Sequence, residues 1–180
     1  YCPNDADIQR LLAESAGTDL ETAILLAAFG PLRRGEICAL TSRDIKGNTI
    51  TVSKSIVRSE DNEWITKSPK TYGSYRTIQM PEFFFKHIRG KKGPLCNLNP
   101  DQLTREFERV LDLCQLPHFR FHDLRHYSAS IMHAIGVPDQ YIMQRGGWSS
   151  DNVMKTVYRN VIDSEAEKQS QLILEHFQKV

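Results

Sequence analysis

No stretch of this sequence is apolar for long enough to cross a bilayer, and no signal peptide is visible. Cysteine is sparse: Cys2, Cys38, Cys96 and Cys114 are widely scattered, with no CxxC among them. That argues against a zinc ribbon or a disulfide framework and for free thiols in a reducing compartment. There is almost no net charge, +1, so the chain as a whole is neither a basic arm nor an acidic tail. Internal repeats and low-complexity segments are lacking. The opening residues, YCPNDAD, contain no initiator methionine, so the chain is expected to be a piece of something longer.

What is there reads as one ordinary globular domain. The 180 residues, 40% hydrophobic and 25% charged, suffice for a real core. The near-neutral total hides an uneven distribution. Residues 31–159 carry 20 basic and 13 acidic groups, +7, between an N-terminal end of −4 and a C-terminal end of −2. A basic middle is compatible with a face that binds a polyanion, although solvated surface charge produces the same count.

In chain order, the spacing predicts a short helix over 5–15, with Ile8, Leu11 and Leu12 on one side. Thr18 and Glu21 form a capping pattern ahead of an apolar run to Phe29, stopped by Gly30-Pro31. A short helix follows in LRRGEICALTSRDI. From Asn48 to Arg58 the period becomes two and β-branched residues dominate, which predicts a strand. Glu63–Lys67 and Tyr75–Met80 read as two more strands, so the expected fold is α+β: mainly helical with a small three-stranded antiparallel sheet. Helices are expected from Pro81 to Arg89, from a cap at Asn99 through Cys114, and from about His122 to Gly136. Another runs from Val137-Pro-Asp-Gln to the break at Gly146-Gly147. A short helix with Val153, Met154, Val157 and Tyr158, and a tail helix with Leu172, Ile173 and Phe177, complete the chain. Trp64 and Phe83–Phe85 read as core.

The stretch that organises the rest is FHDLRHYSAS, Phe121 to Ser130. His122 and Arg125, three apart, share a helical face at a helix start, where backbone N–H groups also favour anions. An imidazole beside a guanidinium fork suits an oxyanion, and phosphate matches best. Tyr127, Ala129, Ile131 and Met132 look core-facing. Alone, this spacing is weak evidence, because HxxR arises often by chance.

Partners for the pair occur at four further places. Arg33 follows a helix stop and stands three residues before Glu36, which could hold it. Arg34 lacks that spacing. Lys70 lies in SPKTYGS, between two strands, with Lys67 as a close alternative. Trp148 follows the Gly-Gly break. Tyr158 lies ten residues later, beside Arg159.

Together these segments resemble the tyrosine recombinase (phage integrase) family. PLRRGEICALTSRDI resembles its first arginine box, SPKTYGSYRTIQMP its β-hairpin lysine segment, FHDLRHYSAS its His-x-x-Arg box, and GGWSSDNVMKTVYRN its closing box with Tyr. The four occur in the family's order over roughly residues 20–160. Two places depart from the pattern. Gly30-Pro31 stands where Thr-Gly is usual, and Gly-Gly-Trp replaces Leu-Gly-His, although Trp also serves there within the family.

The resemblance implies roles. Arg33 and Arg125 would grip the non-bridging oxygens of a scissile phosphate, with His122 helping to hold it and to move protons. Lys70 would be the general acid to the leaving 5′ oxygen. Trp148 would bond or buttress the phosphate site, and Tyr158 would be the nucleophile. The chemistry needs these types. Two planar forks stabilise the charge gathered in the transition state without a metal. A tyrosine of pKa about 10 needs neighbouring cations or a base to attack at neutral pH. A phosphotyrosine bond conserves the phosphodiester energy, so no cofactor is implied. A leaving alkoxide gains typically ~10²–10⁴-fold from a general acid.

The family further implies double-stranded DNA attachment sites and a homotetramer on DNA. Accessory directionality or bending proteins and a cytoplasmic, nucleoid-associated setting go with them, and no membrane is involved. Residues 1–160 would form the catalytic domain and 161–180 a tail helix, packed in place or exchanged between protomers. Core-binding and arm-binding domains would precede the chain. Three other readings stay open: a type IB topoisomerase-like strand cleaver, a recombinase-like module that binds DNA without cutting it, and a histidine zinc site. His118, His122 and His126 are four apart, but Pro117 should place His118 before the helix, and no carboxylate or cysteine cluster completes a ligand set. Arg145, Lys91 and Lys92 are candidates for contact with a DNA backbone, solvated charge being the competing reading.

Overall fold

Helix α2 is the pivot. Asp19–Phe29 buries Leu20, Thr22, Ala23, Ile24, Leu25, Leu26, Ala27 and Ala28, so almost no face of it meets water. A helix apolar all round has to be wrapped by others, and four helices touch it: α1 (Asp5–Glu14), α3 (Arg34–Ala39), α5 (Pro100–Leu113) and α6 (Asp123–Ala134). The computed structural model describes residues 1–68, 75–149 and Leu174. Lys70, the segment around Tyr158 and the rest of the 161–180 tail lie outside the described residues. The fold is mainly helical with small antiparallel sheets, the class that the periodicities predict, but the described strands form two sheets and Glu63–Lys67 falls outside the three-stranded one. Among the described residues no helix is long and apolar enough to cross a membrane.

The helix boundaries follow local chemistry. Asn4 caps α1, accepting from the Asp7 N–H at 3.0 Å while Asp7 accepts from Asn4. Thr18 caps α2, but Glu21 reaches one residue further back, to the Gly17 N–H at 2.7 Å. Asn99 and Gln102 close a reciprocal box on α5, with Pro100 at its first position. Two further α-helices are α4 (Glu82–His87) and α7 (Asp139–Gly146).

The strands differ from expectation in one instructive way. The run from Asn48 to Arg58 is two strands, β2 (Thr49–Val52) and β3 (Ser55–Arg58), in two different sheets. Ile50 and Val52 fill the core, but the next inward position in the period of two is Lys54. A lysine cannot follow them inside, and it pairs instead with Asp44 at 2.9 Å. The chain turns there. The three-stranded antiparallel sheet is β1–β2–β5, where β1 is Ile45–Lys46 and β5 is Arg76–Gln79. β1 has two residues, too few to show a period. Among the described residues β3 pairs only with β4 (Trp64–Lys67), and it lies on α3. Contact there is tight enough that a β carbon on Gly35 would stand 2.5 Å from the Ile56 carbonyl oxygen.

Two expectations about the core are corrected. Of Phe83–Phe85 only Phe84 is buried; Phe83 is 47% exposed and meets Phe29 edge-on. Trp64 is half-buried, with the Arg58 guanidinium over its ring at 4.8 Å. Likewise Tyr127 and Ala129 are buried on α6, but Ile131 is exposed and lines an open groove between α6 and α7.

Candidate active site

Arg33 stands just before α3, in extended conformation, where the chain leaves the Gly30-Pro31 stop. Its own N–H donates to Glu36 Oε2 at 2.7 Å and its Nη1 to Glu36 Oε1 at 2.9 Å. The three-residue spacing seen in the sequence is therefore a local clamp. The other arm of the fork, Nη2, donates to the Gly147 carbonyl. Arg34 turns the opposite way and donates to Thr104 on α5. Of the two adjacent arginines, only Arg33 faces the site.

Glu36 is 4% exposed. It also takes both arms of Arg76, the first residue of β5, with Nη1 to Oε1 at 3.0 Å and Nη2 to Oε2 at 2.8 Å. Burial pushes the Glu36 carboxyl up, but Arg76 first and then Arg33 outweigh it and hold it below the usual carboxylate range. Arg76 Nε continues the chain of contacts to the Arg145 carbonyl, at 2.9 Å, near the end of α7.

Arg125 enters from α6 and is 1% exposed. Nη2 donates to the Gly146 carbonyl at 3.0 Å and Nη1 to the Pro31 carbonyl. Gly30-Pro31, the departure from the family pattern, thus supplies a carbonyl that holds the second arginine. Among the described residues, Arg125 Nε is buried with no acceptor. Burial, then the positive charge of Arg33, push its pKa down to about 9, while Glu36 works the other way.

Trp148 lies against this group, its ring 4.7 Å from the Arg125 guanidinium carbon. The placement follows from how α7 ends. Gly147 adopts the left-handed conformation, φ +66°. Its N–H donates to Gln144 O at 3.3 Å and the Trp148 N–H to Met143 O at 3.0 Å, a Schellman ending that folds Trp148 back over the helix. His122 sits at the mouth of α6, exposed on its outer side, with its ring edge-to-face on His126 at 5.2 Å. Burial of its inner side, then the charge of Arg125, push His122 down to about 4, so the imidazole is neutral at pH 7. His126 is lowered for the same first reason, although Asp123 lies 3.6 Å from its Nε2.

The structure therefore brings Arg33, His122, Arg125 and Trp148 into one place; Lys70 and Tyr158 lie outside the described residues. Two guanidiniums, Arg33 and Arg76, bond one carboxylate, Glu36, and a third, Arg125, feels its charge. That leaves two positive charges in a poorly solvated setting, where they act on an oxyanion far more strongly than in water. Arg76 was not a candidate from the sequence, though its signal was present. Positions 76, 78 and 80 are the inward row of that strand, and Arg76 is the one charge among Ile78 and Met80. An inward charge in an apolar row implies a buried partner. Arg145 and Lys91 are both engaged within the protein. Arg145 Nη2 donates to the carbonyls of Phe29 and Gln79, each at 2.9 Å, and Lys91 bonds Asp19, Thr22 and the Leu95 carbonyl. His118 does precede the helix, and among the described residues no group of His, Cys, Asp or Glu is placed to hold a metal ion.

Comparison with known proteins gives the family and the fold. Residues 4–165 match the phage integrase family. An integrase of Saccharopolyspora erythraea is 36% identical over 105 residues, covering 56% of this chain and 23% of its own length. A XerC-like tyrosine recombinase of Caldanaerobacter subterraneus subsp. tengcongensis is 22% identical across 90% of this chain and 51% of its own. The chain thus spans from about a quarter to half the length of these relatives. Among solved structures, the Tn1549 transposon integrase in complex with a circular intermediate DNA superposes with a TM-score of 0.77 at 18% identity, over 95% of this chain and 65% of that one. The catalytic domain of bacteriophage HP1 integrase gives 0.66 at 22% identity, over 94% and 93%. With its two arginine boxes joined across Gly146 and Gly147 and a family match along nearly its whole length, the chain belongs to the phage integrase family.

Proposed function

We propose that this chain is the catalytic part of a site-specific tyrosine recombinase, which integrates or excises DNA by cutting one strand at a time. The observation that carries this is the meeting of Arg33 and Arg125, far apart in the sequence, on the carbonyls of the adjacent residues Gly147 and Gly146. Two forks fixed this closely can take the two non-bridging oxygens of one phosphate. Tyr158 gives up its phenolic proton to solvent and attacks the phosphorus; a 3′-phosphotyrosine bond forms as the bond from phosphorus to the 5′ oxygen breaks, and that oxygen leaves with a proton from Lys70. His122, neutral in the free protein, gains a proton as the phosphate arrives, because a nearby anion favours the imidazolium. Trp148 shields the Arg125 side of the phosphate from water. A 5′ hydroxyl from a second duplex reverses the attack, and a Holliday junction is formed and resolved.

Double-stranded attachment sites are the substrate, in a cytoplasmic, nucleoid-associated setting, with a homotetramer assembled on them and accessory bending or directionality proteins in attendance. The tail, residues 161–180, is proposed to pass to a neighbouring protomer. The apolar rim of Ile131, Ile135 and Tyr141 beside α6 and α7 supports an acceptor of that kind.

The test is covalent capture. A pool of nicked duplexes with randomised arms is incubated with the chain without metal and run on a denaturing gel, for wild type and Tyr158→Phe. A protein–DNA band from wild type alone is the expected result. A band that survives Tyr158→Phe would remove Tyr158 as nucleophile. Binding without any band would favour a non-cutting DNA-binding module. Resealing of the captured duplex, with no transfer to a foreign 5′ hydroxyl, would favour the type IB topoisomerase-like reading.

A further inference from the structure

We propose that Arg76 is a positioning residue for strand cleavage: it neutralises Glu36, so that Glu36 orients Arg33 without cancelling the charge Arg33 presents to the phosphate. This rests on the recombinase reading.

The geometry makes Glu36 a shared acceptor. Oε1 receives Arg33 Nη1 at 2.9 Å and Arg76 Nη1 at 3.0 Å; Oε2 receives the Arg33 N–H at 2.7 Å and Arg76 Nη2 at 2.8 Å. With Arg33 alone, Glu36 would form a one-to-one pair of zero net charge beside an anionic substrate. A buried carboxylate there would also repel phosphate at short range, where screening is weak. With Arg76 added, the group of Arg33, Arg76 and Glu36 keeps one positive charge, and Arg125 adds a second.

Arg76 is also joined to the backbone that carries the other forks. Its Nε donates to the Arg145 carbonyl, and a β carbon on Gly147 would stand 3.1 Å from Arg76 Nη1 and 3.4 Å from Arg33 Nη1. Gly147 thus packs on both arginines at once, and its carbonyl receives Arg33. In the chain, Arg76 follows closely on the segment that carries Lys70. One side chain therefore ties the strand leaving that segment to α3 and to the end of α7. Stability alone does not account for an arginine here. A buried ion pair is often no better than an apolar residue of similar volume, and Ile78 and Met80 fill the same inward row.

The experiment uses the duplex captured by the wild-type chain and measures the single-turnover cleavage rate and the DNA Kd. The variants are Arg76→Gln, Glu36→Gln and the double variant. Arg76→Gln is expected to cleave about 10²-fold more slowly, the scale of a misplaced reacting group, with Kd changed less than about 3-fold. The double variant removes the Arg76–Glu36 ion pair as a unit and keeps the net charge of the group, so it is expected to fold and to regain at least about 10-fold of that loss. Lowering the pH should speed Arg76→Gln relative to wild type. Without Arg76 the Glu36 carboxyl loses its main stabilising partner, titrates higher and, once protonated, releases Arg33. A double variant as slow as Arg76→Gln at every pH would assign Arg76 to the fold alone and overturn the proposal. So would wild-type cleavage by Arg76→Gln. If wild type captures no duplex, the recombinase reading falls and takes this one with it; the other two outcomes sink this proposal while leaving that reading intact.

Discussion

The six-membered ring of Trp148 covers the α carbon of Gly146: a β carbon built there would lie 2.0 Å from Cζ3 and 2.2 Å from Cε3. Gly146 is helical and buried, so its backbone would accept alanine; the ring would not. Gly146→Ala is expected to cost about 1–3 kcal/mol through overpacking and to lift Trp148 off Arg125. The melting temperature and the rate of covalent capture should fall together. Unchanged capture in a folded Gly146→Ala protein would separate Trp148 from the chemistry.

Adjacent arginines should behave oppositely. Arg33 Nη2 reaches the Gly147 carbonyl, whereas Arg34 reaches Thr104 on α5. Arg33→Gln is expected to lower capture about 10²–10³-fold, the scale of losing one donor to a developing anion. Arg34→Gln should stay within about 3-fold and change stability by no more than about 0.5 kcal/mol. Equal losses would mean that the sequence position, and not the direction of the side chain, governs the first arginine box.

What the sequence made legible follows the range of each interaction. The Arg33–Glu36 clamp, the Thr18 and Asn99 caps and the stop at Gly30-Pro31 act within four residues, so spacing alone exposes them. The assembly of Arg33, His122, Arg125 and Trp148 was legible because residue types and order carry the resemblance to the family. Arg76 was hidden because its partner, Glu36, is 40 residues away. The Asn48–Arg58 run looked like one strand because its period of two continues through Lys54; only the Asp44 contact shows why the chain leaves the first sheet there.

The free protein should lose stability as the pH falls from about 6.5 toward about 4. Folding lowers the pKa of His122 to about 4, and that of His126 also falls, each through burial first. The unfolded chain, with ordinary histidines near 6.5, binds more protons across that window. Unfolding therefore becomes more favourable on acidification, and the contribution is fully present only above pH 6.5. Urea midpoints at pH 7.5 and pH 5 should differ more for wild type than for His122→Gln. The same two-pH difference in both proteins would show that His122 does not titrate low.

The last prediction concerns a residue whose charge suggested contact with DNA. Arg145 gives its Nη2 to the Phe29 and Gln79 carbonyls, and burial lowers its pKa. It joins the end of α2 to the end of β5, with no part left over for a phosphate on that arm. Arg145→Gln should leave the half-buried Phe29 carbonyl without its donor, costing about 1 kcal/mol, while the exposed Gln79 carbonyl turns to water. A residue neutralising a phosphate behaves differently: its loss reduces the slope of log K against log salt by about one. Arg145→Gln is expected to lower the melting temperature with the salt slope unchanged. A slope reduced by one, at unchanged stability, would place Arg145 on the DNA after all.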